Sequence, residues 1–139
     1  METNPAEFLN TVYLGDRACK SIYIDCWKKL VAIQVDEISR VRSASGNWEF
    51  YTDEDIVDGS IVFTGVESIN FEPSGPIPND YINGIWARRS DGVHDQLWVF
   101  EVSISSGAGD GTSTEVILKI VGLDVHLEDP KSPGVRVRE

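Results

Sequence analysis

The residues with the richest chemistry in this chain stand together in the stretch NWEFYTDEDIVDG, Asn47–Gly59. Its aromatic residues come directly before its carboxylates, which are Asp53, Glu54, Asp55 and Asp58. Carboxylates this close in sequence can bind a divalent cation, act in acid–base catalysis, or present negative charge to a basic partner. The segment therefore raises three hypotheses.

A calcium loop of the EF-hand type is not predicted here. Counted from Asp53, Val57 occupies position five, where the loop requires an oxygen ligand, and Asp58 occupies position six, where it requires glycine. A looser calcium or magnesium site formed by Asp53, Asp55 and Asp58 stays open as an alternative. We predict no metal and no cofactor, because a solvated acidic turn is the commoner role of such a segment.

Other motifs do not predict catalysis. The glycine-rich segment GAGDG lacks the lysine of a phosphate-binding loop, and Thr112 stands where the dinucleotide fingerprint requires glycine. His94 and His126 lie in different segments, without the spacing of zinc ligands. A hydrolase that uses two carboxylates stays an open alternative, because their separation is a property of the fold. We predict no catalytic residues and no enzyme.

The charge of the chain indicates the class of partner. Its 139 residues carry a formal charge of −11, and residues 36–80 hold ten acids against two arginines. Nucleic acid and anionic membranes would be repelled, whereas a basic protein would be attracted. We therefore predict a partner-binding face in which Trp48 or Tyr51 is an apolar anchor. Its charged rim consists of Asp53, Glu54, Asp55 and Asp58.

Targeting signals are not visible in the sequence. The first residues, METNPAEFLN, show neither the basic nor the apolar region of a signal peptide, and no apolar run reaches the roughly 18 residues of a membrane span. We expect a cytoplasmic protein. Cys19 and Cys26 are seven apart in an extended segment, on opposite faces, so we expect reduced packing residues.

Mainly β-strands are predicted to position these residues. Asn4, Pro5 and Glu7 form a helix-start signal, which predicts a short helix from about Pro5 to Thr11. Alternation on both sides of Lys28-Lys29 then predicts a hairpin. The fold class is mainly β, a single antiparallel sheet or a β-sandwich of about seven strands. We predict one domain over residues 1–129 and a loose C-terminal tail over 130–139.

The remaining segments add strands and one ambiguous element. Gly65 is expected to form a bulge within SIVFTGVESINFEP, and the prolines of PSGPIPND predict a surface connection. DYINGIWARR is ambiguous between a helix and a hairpin strand, and its apolar spacing favours a short helix near 79–88. Two long strands follow, QLWVFEVSIS and TEVILKIVGLDVHLED, and Gly122 marks a bulge or a break in the second. Trp98 and Phe100 are expected in the core.

Two longer stretches carry a resemblance to a known group of proteins. They are LGDRACKSIYIDCWKKLVAIQVDEISRVRS and GNWEFYTDEDIVDGSIVFTGVESINFEPSGPIPNDYIN, and the second contains a V-x-F-x-G-V type strand at 61–66. Over Leu14 to Asp129 the chain resembles bacterial immunity proteins of polymorphic toxin systems, of the contact-dependent growth inhibition type. One feature departs from sister families, because Gly15-Asp16 stands where those families have a histidine and an acid.

The resemblance implies a cytoplasmic protein that binds a cognate toxin domain and blocks it by occlusion. It transfers no catalytic residue and no known contact position to this chain. The alternative that the residues support is a β-domain that binds a small ligand or carbohydrate with exposed aromatic side chains. The sequence leaves the oligomeric state open.

Overall fold

The computed structural model of the protein describes residues 4–42, 50–51, 54–90 and 96–138. One short helix, α1, precedes a series of strands. The elements are α1 (Pro5–Leu9), β1 (Val12–Tyr13), β2 (Cys19–Asp25), β3 (Leu30–Val35), β4 (Glu37–Arg42), β5 (Phe50–Tyr51), β6 (Ile56–Val57), β7 (Ser60–Thr64), β8 (Ser68–Glu72), β9 (Ile82–Arg89), β10 (Trp98–Gly107), β11 (Ser113–Gly122) and β12 (Asp124–Glu128).

The strands of the described residues form three antiparallel sheets. The first has the order β1-β4-β5, with β6 also paired to β4. The second has the order β8-β11-β10-β9, and the third β12-β7-β3-β2. The predicted mainly β class is therefore confirmed. The prediction of one sheet or sandwich of about seven strands is wrong in the number of strands and of sheets.

The number of sheets differs from the prediction first because two neighbouring segments, which are hydrogen-bonded to each other, bend together. β3 continues into β4 through Asp36, and β6 continues into β7 through Asp58 and Gly59. Main-chain hydrogen bonds cross this bend, from Val35 N–H to the Gly59 oxygen at 2.9 Å and from Asp58 N–H to the Asp36 oxygen at 2.8 Å. The segment β3–β4 and the segment β6–β7 therefore pass from the third sheet to the first while staying hydrogen-bonded to each other.

A second bend joins the second and third sheets. Gly65 follows β7 with a φ of +60°, and Gly122 ends β11. Hydrogen bonds again cross the bend, and one of them runs from Leu123 N–H to the Thr64 oxygen at 2.9 Å. The break expected at Gly122 is confirmed. Gly65 lies at the corresponding bend of the other segment, between β7 and β8.

The core lies between the inner faces of the second and third sheets. Phe63 of β7 and Phe100 of β10 meet there, with their ring centres 5.0 Å apart at an angle of 57°. Burial of each such side chain stabilises the fold by roughly 1.5–3 kcal/mol. Trp98 and Phe100 are buried, as predicted. Other fully buried members of the cluster are Ile33, Ile61, Ile104, Leu118, Ile120 and Leu127.

Helix α1 follows its sequence signals closely. The Asn4 side chain accepts a hydrogen bond from the Glu7 N–H at 2.8 Å, and Pro5 occupies the first turn. The helix ends at Leu9, two residues before the predicted end at about Thr11. Its buried residues Phe8 and Leu9 anchor it on the core.

The segment 82–89 is a strand, so the predicted short helix near 79–88 is wrong. Residues Ile85 and Ala87 pair with Val102 and Phe100 of β10, and their side chains pack against the core. A bulge between Ile82 and Gly84 inserts one extra residue. The extra residue spaces the inward apolar side chains by three positions, which imitates a helical period.

The C-terminal residues, which the sequence leaves as a loose tail, make defined contacts. Val137 and Leu127 exchange two main-chain hydrogen bonds, each of 2.8 Å. Arg138 Nη2 lies 3.0 Å from the Asp124 carboxylate, and its guanidinium carbon lies 4.9 Å from the centre of the Phe8 ring. These contacts attach the end of the chain to β12 and to helix α1.

Candidate partner-binding site

Carboxylates gather where the first and third sheets meet. Glu37 on β4 pairs directly with Val57 on β6, and Glu54 and Asp55 precede β6 while Asp58 follows it. Asp36 lies beside Asp58 through their main-chain hydrogen bond. We name this surface the acidic corner, which consists of Asp36, Glu37, Glu54, Asp55 and Asp58.

Local backbone requirements fix the shape of the acidic corner. Asp58 has a φ of +56°, a conformation that aspartate tolerates better than most residues. At Gly59 a Cβ atom would lie 2.8 Å from side-chain carbons of both Ile38 and Ile56. The Asp36 carboxylate accepts hydrogen bonds from the Ala18 and Glu37 N–H groups at 3.1 and 3.0 Å. The corner is therefore held by groups from several parts of the chain.

Basic side chains compensate part of this charge. Lys20 Nζ lies 2.6 Å from the Asp58 carboxylate, and an Arg17 nitrogen lies 3.4 Å from Glu37. These pairs are partly exposed, so each is worth at most about 1 kcal/mol. Asp55 is exposed, and it makes no ion pair with the described residues. It therefore presents its charge to solvent.

Arg40 is a buried charged residue next to the acidic corner that the sequence did not predict. Only 1% of its surface is exposed, although it is an arginine. Its Nε and Nη2 atoms donate to the Thr11 hydroxyl at 3.2 and 2.8 Å, and Nη1 lies 3.8 Å from the Glu54 carboxylate. Arg40 also lines a recess of about 320 Å³, and the acids Glu54 and Asp129 are among the other lining residues. The buried guanidinium therefore lies within ion-pair distance of the half-exposed Glu54 carboxylate.

The apolar residue of the acidic corner is Val57. Its side chain is 53% exposed, and it shares the outer face of the first sheet with its cross-strand neighbour Glu37. The anchors predicted from the sequence, Trp48 and the Tyr51 side chain, lie outside the described residues, as does Asp53. The structure therefore brings together Glu54, Asp55 and Asp58 of the predicted set around a different apolar residue.

The histidine of β12 is buried and faces a carboxylate. His126 Nε2 lies 3.3 Å from the Glu128 carboxylate, and the His126 side chain is almost fully enclosed. Burial lowers the pKa of His126 below its usual value, and the bond to Glu128 opposes this shift. The imidazole is therefore neutral at pH 7. His94 lies outside the described residues.

The cysteines differ in environment, and both are free. Burial raises the pKa of the Cys19 thiol to about 11, which makes it unreactive at neutral pH. Cys26 is exposed in the turn between β2 and β3. In the described parts of the chain, no three histidine, cysteine, aspartate or glutamate side chains converge as metal ligands would.

An open groove with aromatic side chains runs beside the edge strand β9. It has a volume of about 360 Å³, and Tyr13 and Trp86 are among its lining residues. The Trp86 ring lies over Gly84, where a Cβ atom would come within 2.5 Å of it. Asn10 and Asn83 also line this groove, and the Asn83 amide is hydrogen-bonded to the hydroxyls of Ser103 and Ser105.

A comparison with protein-family models matches residues 1–139 to one family, described as a family of unknown function, DUF6258. The chain belongs to this family. No curated protein and no solved structure matches the DUF6258 chain. The family match names no activity, so the resemblance to immunity proteins stays a hypothesis. Across the ranges the structure describes, no helix has the length and apolar character that crossing a bilayer requires.

Proposed function

We propose that the protein binds a basic toxin domain through the acidic corner and neutralises it by occlusion. The observation that carries this proposal is the half-exposed Val57 among Glu37, Asp55 and Asp58. An apolar centre within a polar rim is the usual anatomy of a protein–protein interface. The net charge of −11 adds a long-range attraction for a cationic partner.

Electrostatic steering explains why an inhibitor of this kind would be acidic. Complementary charge raises association rates at low salt to about 10⁸–10⁹ M⁻¹s⁻¹. A toxin already inside the cell must be captured before it acts, so the association rate decides protection. The protein performs no chemistry in this proposal, because coverage of the toxin surface is sufficient.

Individual carboxylates contribute unequally to such a contact. Asp55 is exposed and makes no ion pair within the described residues, so we expect its charge to act directly on a partner. Asp58 already pairs with Lys20 at 2.6 Å, so a partner cation must compete with that lysine. We therefore expect Asp55 to contribute most to steering and Lys20→Ala to accelerate association.

The experiment uses the toxin domain encoded beside the gene as its probe. Association is measured by stopped-flow fluorescence over a range of salt concentrations for the wild type and Asp55→Lys. Glu72→Lys is the matched control, because Glu72 is an exposed acid on β8 of another sheet and the change in charge is the same. We expect Asp55→Lys to slow association about tenfold at low salt, and Glu72→Lys to slow it less than about threefold.

Two outcomes would contradict the proposal. Equal slowing by both variants would show that only net charge matters and that the acidic corner is not the contact surface. An association rate that stays constant from low to high salt would remove the steering mechanism altogether.

A second candidate function rests on the aromatic groove beside β9. Aromatic faces and amide groups together are the typical lining of a small-ligand or carbohydrate site. The groove combines Tyr13, Trp86, Asn10 and Asn83. Titration of a glycan library followed by tryptophan fluorescence would detect binding, and Trp86→Ala should abolish the signal. Binding that Trp86→Ala leaves unchanged would exclude this groove.

A further inference from the structure

Three exposed apolar side chains, one of them the most exposed among the described residues, lie close together along one strand edge. Trp27, in the turn after β2, is 98% exposed, and Tyr23 and Ile24 of β2 are 58% and 45% exposed. β2 is the outermost strand of the third sheet. Neighbouring exposed apolar side chains that form a continuous patch often mark an interaction site.

The edge of β2 has the usual protection against pairing only at its start, where Lys20 and an irregularity between Cys19 and Ser21 lie. Edge strands are normally protected by charges, prolines or bulges within the strand. From Ser21 to Trp27 the only charged residue is Asp25. A bridge between Ala18 and Tyr81 covers the start of the strand. Beyond it, the strand order of the described residues places no neighbour on the outer side of β2.

We propose that a second copy of this chain covers the edge, so that β2 pairs antiparallel with β2 of the other copy. The two-fold axis is perpendicular to the sheet and passes beside Tyr23. Residues opposite each other in a sheet must point to the same face, which restricts the register. With Tyr23 opposite its own copy, Ile22 lies opposite Ile24, and Ser21 lies opposite Asp25.

This register is favourable for the side chains from Ser21 to Asp25. Ile22 and Ile24 extend the apolar inner face across the junction, and the two Tyr23 rings meet on the outer face. Ser21 can donate a hydrogen bond to the Asp25 carboxylate at each end. From Ser21 to Asp25 no charged residue lies opposite a like charge, although each copy carries −11 overall.

Charge complementarity continues beyond the strands. In this arrangement the turn after β2 of one copy reaches the region of Ala18 in the other. That turn carries the exposed Lys28 and Lys29. Around Ala18 lie the Asp36 carboxylate, which accepts the Ala18 N–H at 3.1 Å, and Asp80, whose carbonyl accepts the Cys19 N–H at 3.0 Å. A cation of this region, Arg17, is already paired with Glu37 at 3.4 Å.

Trp27 has a matching surface in the same region. Tyr81, which pairs with Ala18, is 55% exposed. The turn of the other copy therefore brings Trp27 onto Tyr81, once on each side of the two-fold axis. Both halves of the contact lie on a single chain, as an isologous dimer requires.

The first experiment measures the oligomeric state of the full chain. Sedimentation velocity over a range of concentrations should show a monomer–dimer equilibrium. Trp27→Ala should raise the dimer dissociation constant at least tenfold, and Tyr23→Lys should abolish the dimer by placing two lysines on the axis. Ile77→Ala is the matched control, because Ile77 is 73% exposed in the proline-rich connection, and it should leave the constant unchanged.

The second experiment tests the register by disulfide trapping in a Cys26→Ser background. Directly opposite residues have Cα atoms about 4.5–5.5 Å apart, which is within disulfide range. Tyr23→Cys should therefore form a cross-linked dimer on mild oxidation. Ser21→Cys is the control, because its two copies would be four residues out of register and too far apart to bridge.

Each remaining outcome overturns the proposal. A wild type that stays monomeric at high concentration excludes the dimer. Equal cross-linking of Ser21→Cys and Tyr23→Cys, or weakening by Ile77→Ala as strong as by Trp27→Ala, excludes this interface. Cosedimentation of a monomer with anionic vesicles, lost in Trp27→Ala, would assign the exposed edge to a bilayer instead.

Discussion

The guanidinium carbon of Arg40 lies 5.3 Å from the centre of the Phe8 ring, and both side chains are almost fully buried. A cation over an aromatic face gains electrostatic energy, and the gain is larger when water is excluded. Arg138 lies at 4.9 Å from the same ring. Phe8 therefore links helix α1 to β4 and to the end of the chain.

Removal of the Arg40 side chain should strongly destabilise the protein. Arg40→Ala would leave the Thr11 hydroxyl and the Glu54 carboxylate without this partner and would open a cavity against Phe8. Because Glu54 is half-exposed, the main cost is the lost buried packing, and we expect a loss of about 2–5 kcal/mol in the free energy of unfolding, measured by urea denaturation. Arg88→Ala is the control. Arg88 makes an exposed ion pair with Glu101 and should cost at most about 1 kcal/mol. Equal losses for Arg40→Ala and Arg88→Ala would show that the buried contacts of Arg40 contribute no more to stability than an exposed ion pair.

Substitution of Gly59 should destabilise the bend between β6 and β7. An added Cβ would lie 2.8 Å from carbons of Ile38 and Ile56, both buried in the core. We expect Gly59→Ala to cost about 1–3 kcal/mol in thermal or urea unfolding. Gly109→Ala, in the open loop after β10, has nothing within 4 Å and should be neutral or slightly stabilising. A neutral Gly59→Ala would mean that the bend relaxes freely.

His126 should make the stability of the protein depend on pH. Its pKa in the folded state is lowered by burial, so the unfolded chain binds a proton more readily. The contribution of His126 to stability is therefore complete above about pH 6.5 and is lost as the pH falls through its folded pKa. The charged groups near it are Asp124, Glu128 and Arg136.

The measurement compares the wild type with His126→Gln by urea unfolding between pH 7.5 and pH 5. Gln keeps a polar side chain but does not titrate, so the difference between the two curves isolates the histidine. We expect the wild type to lose more stability than the variant as the pH falls. Parallel curves would show that His126 has the same pKa in the folded and unfolded states.

Thiol chemistry should distinguish the two cysteines. Cys26 is exposed and should react with a colorimetric disulfide reagent in the native protein, whereas Cys19 should react only after unfolding. The pKa of Cys19 is raised to about 11, so its contribution to stability is complete below about pH 9 and is lost as the pH rises toward 11. Cys26→Ser should abolish the native reaction. A second reactive thiol in the native wild type, or any reaction of native Cys26→Ser, would contradict the buried position of Cys19.

Local patterns predicted those elements whose partners are close in sequence. The hairpin of β2 and β3 alternates regularly on both sides of its turn, and the structure confirms it. The position of Trp27 could also have been predicted from residues close to it in sequence. It stands directly before Lys28-Lys29, so its place in a turn, and hence its exposure, had a sequence signal that the strand pattern obscured.

Other features depend on strands that are distant in sequence. The bend at Asp36 exists because the ribbon at Asp58 bends with it, and no local pattern records that pairing. The bulge of β9 lies where its pairing with β10 shifts between Ser103 and Ile104, and the resulting spacing of apolar residues resembles that of a helix. The burial of Arg40 depends on Phe8 and Thr11, which are about thirty residues away. The sequence therefore predicted the acids of the candidate site but not the cation beneath them.

The attachment of the last residues has a practical consequence for anyone who prepares this protein. A truncation after residue 129 would remove Val137 and its two hydrogen bonds to Leu127, together with the guanidinium of Arg138 that stacks on Phe8. An expression boundary drawn there would weaken the first helix at the opposite end of the chain. Affinity tags are better separated from Arg138 by a flexible linker, so that they do not compete for this contact.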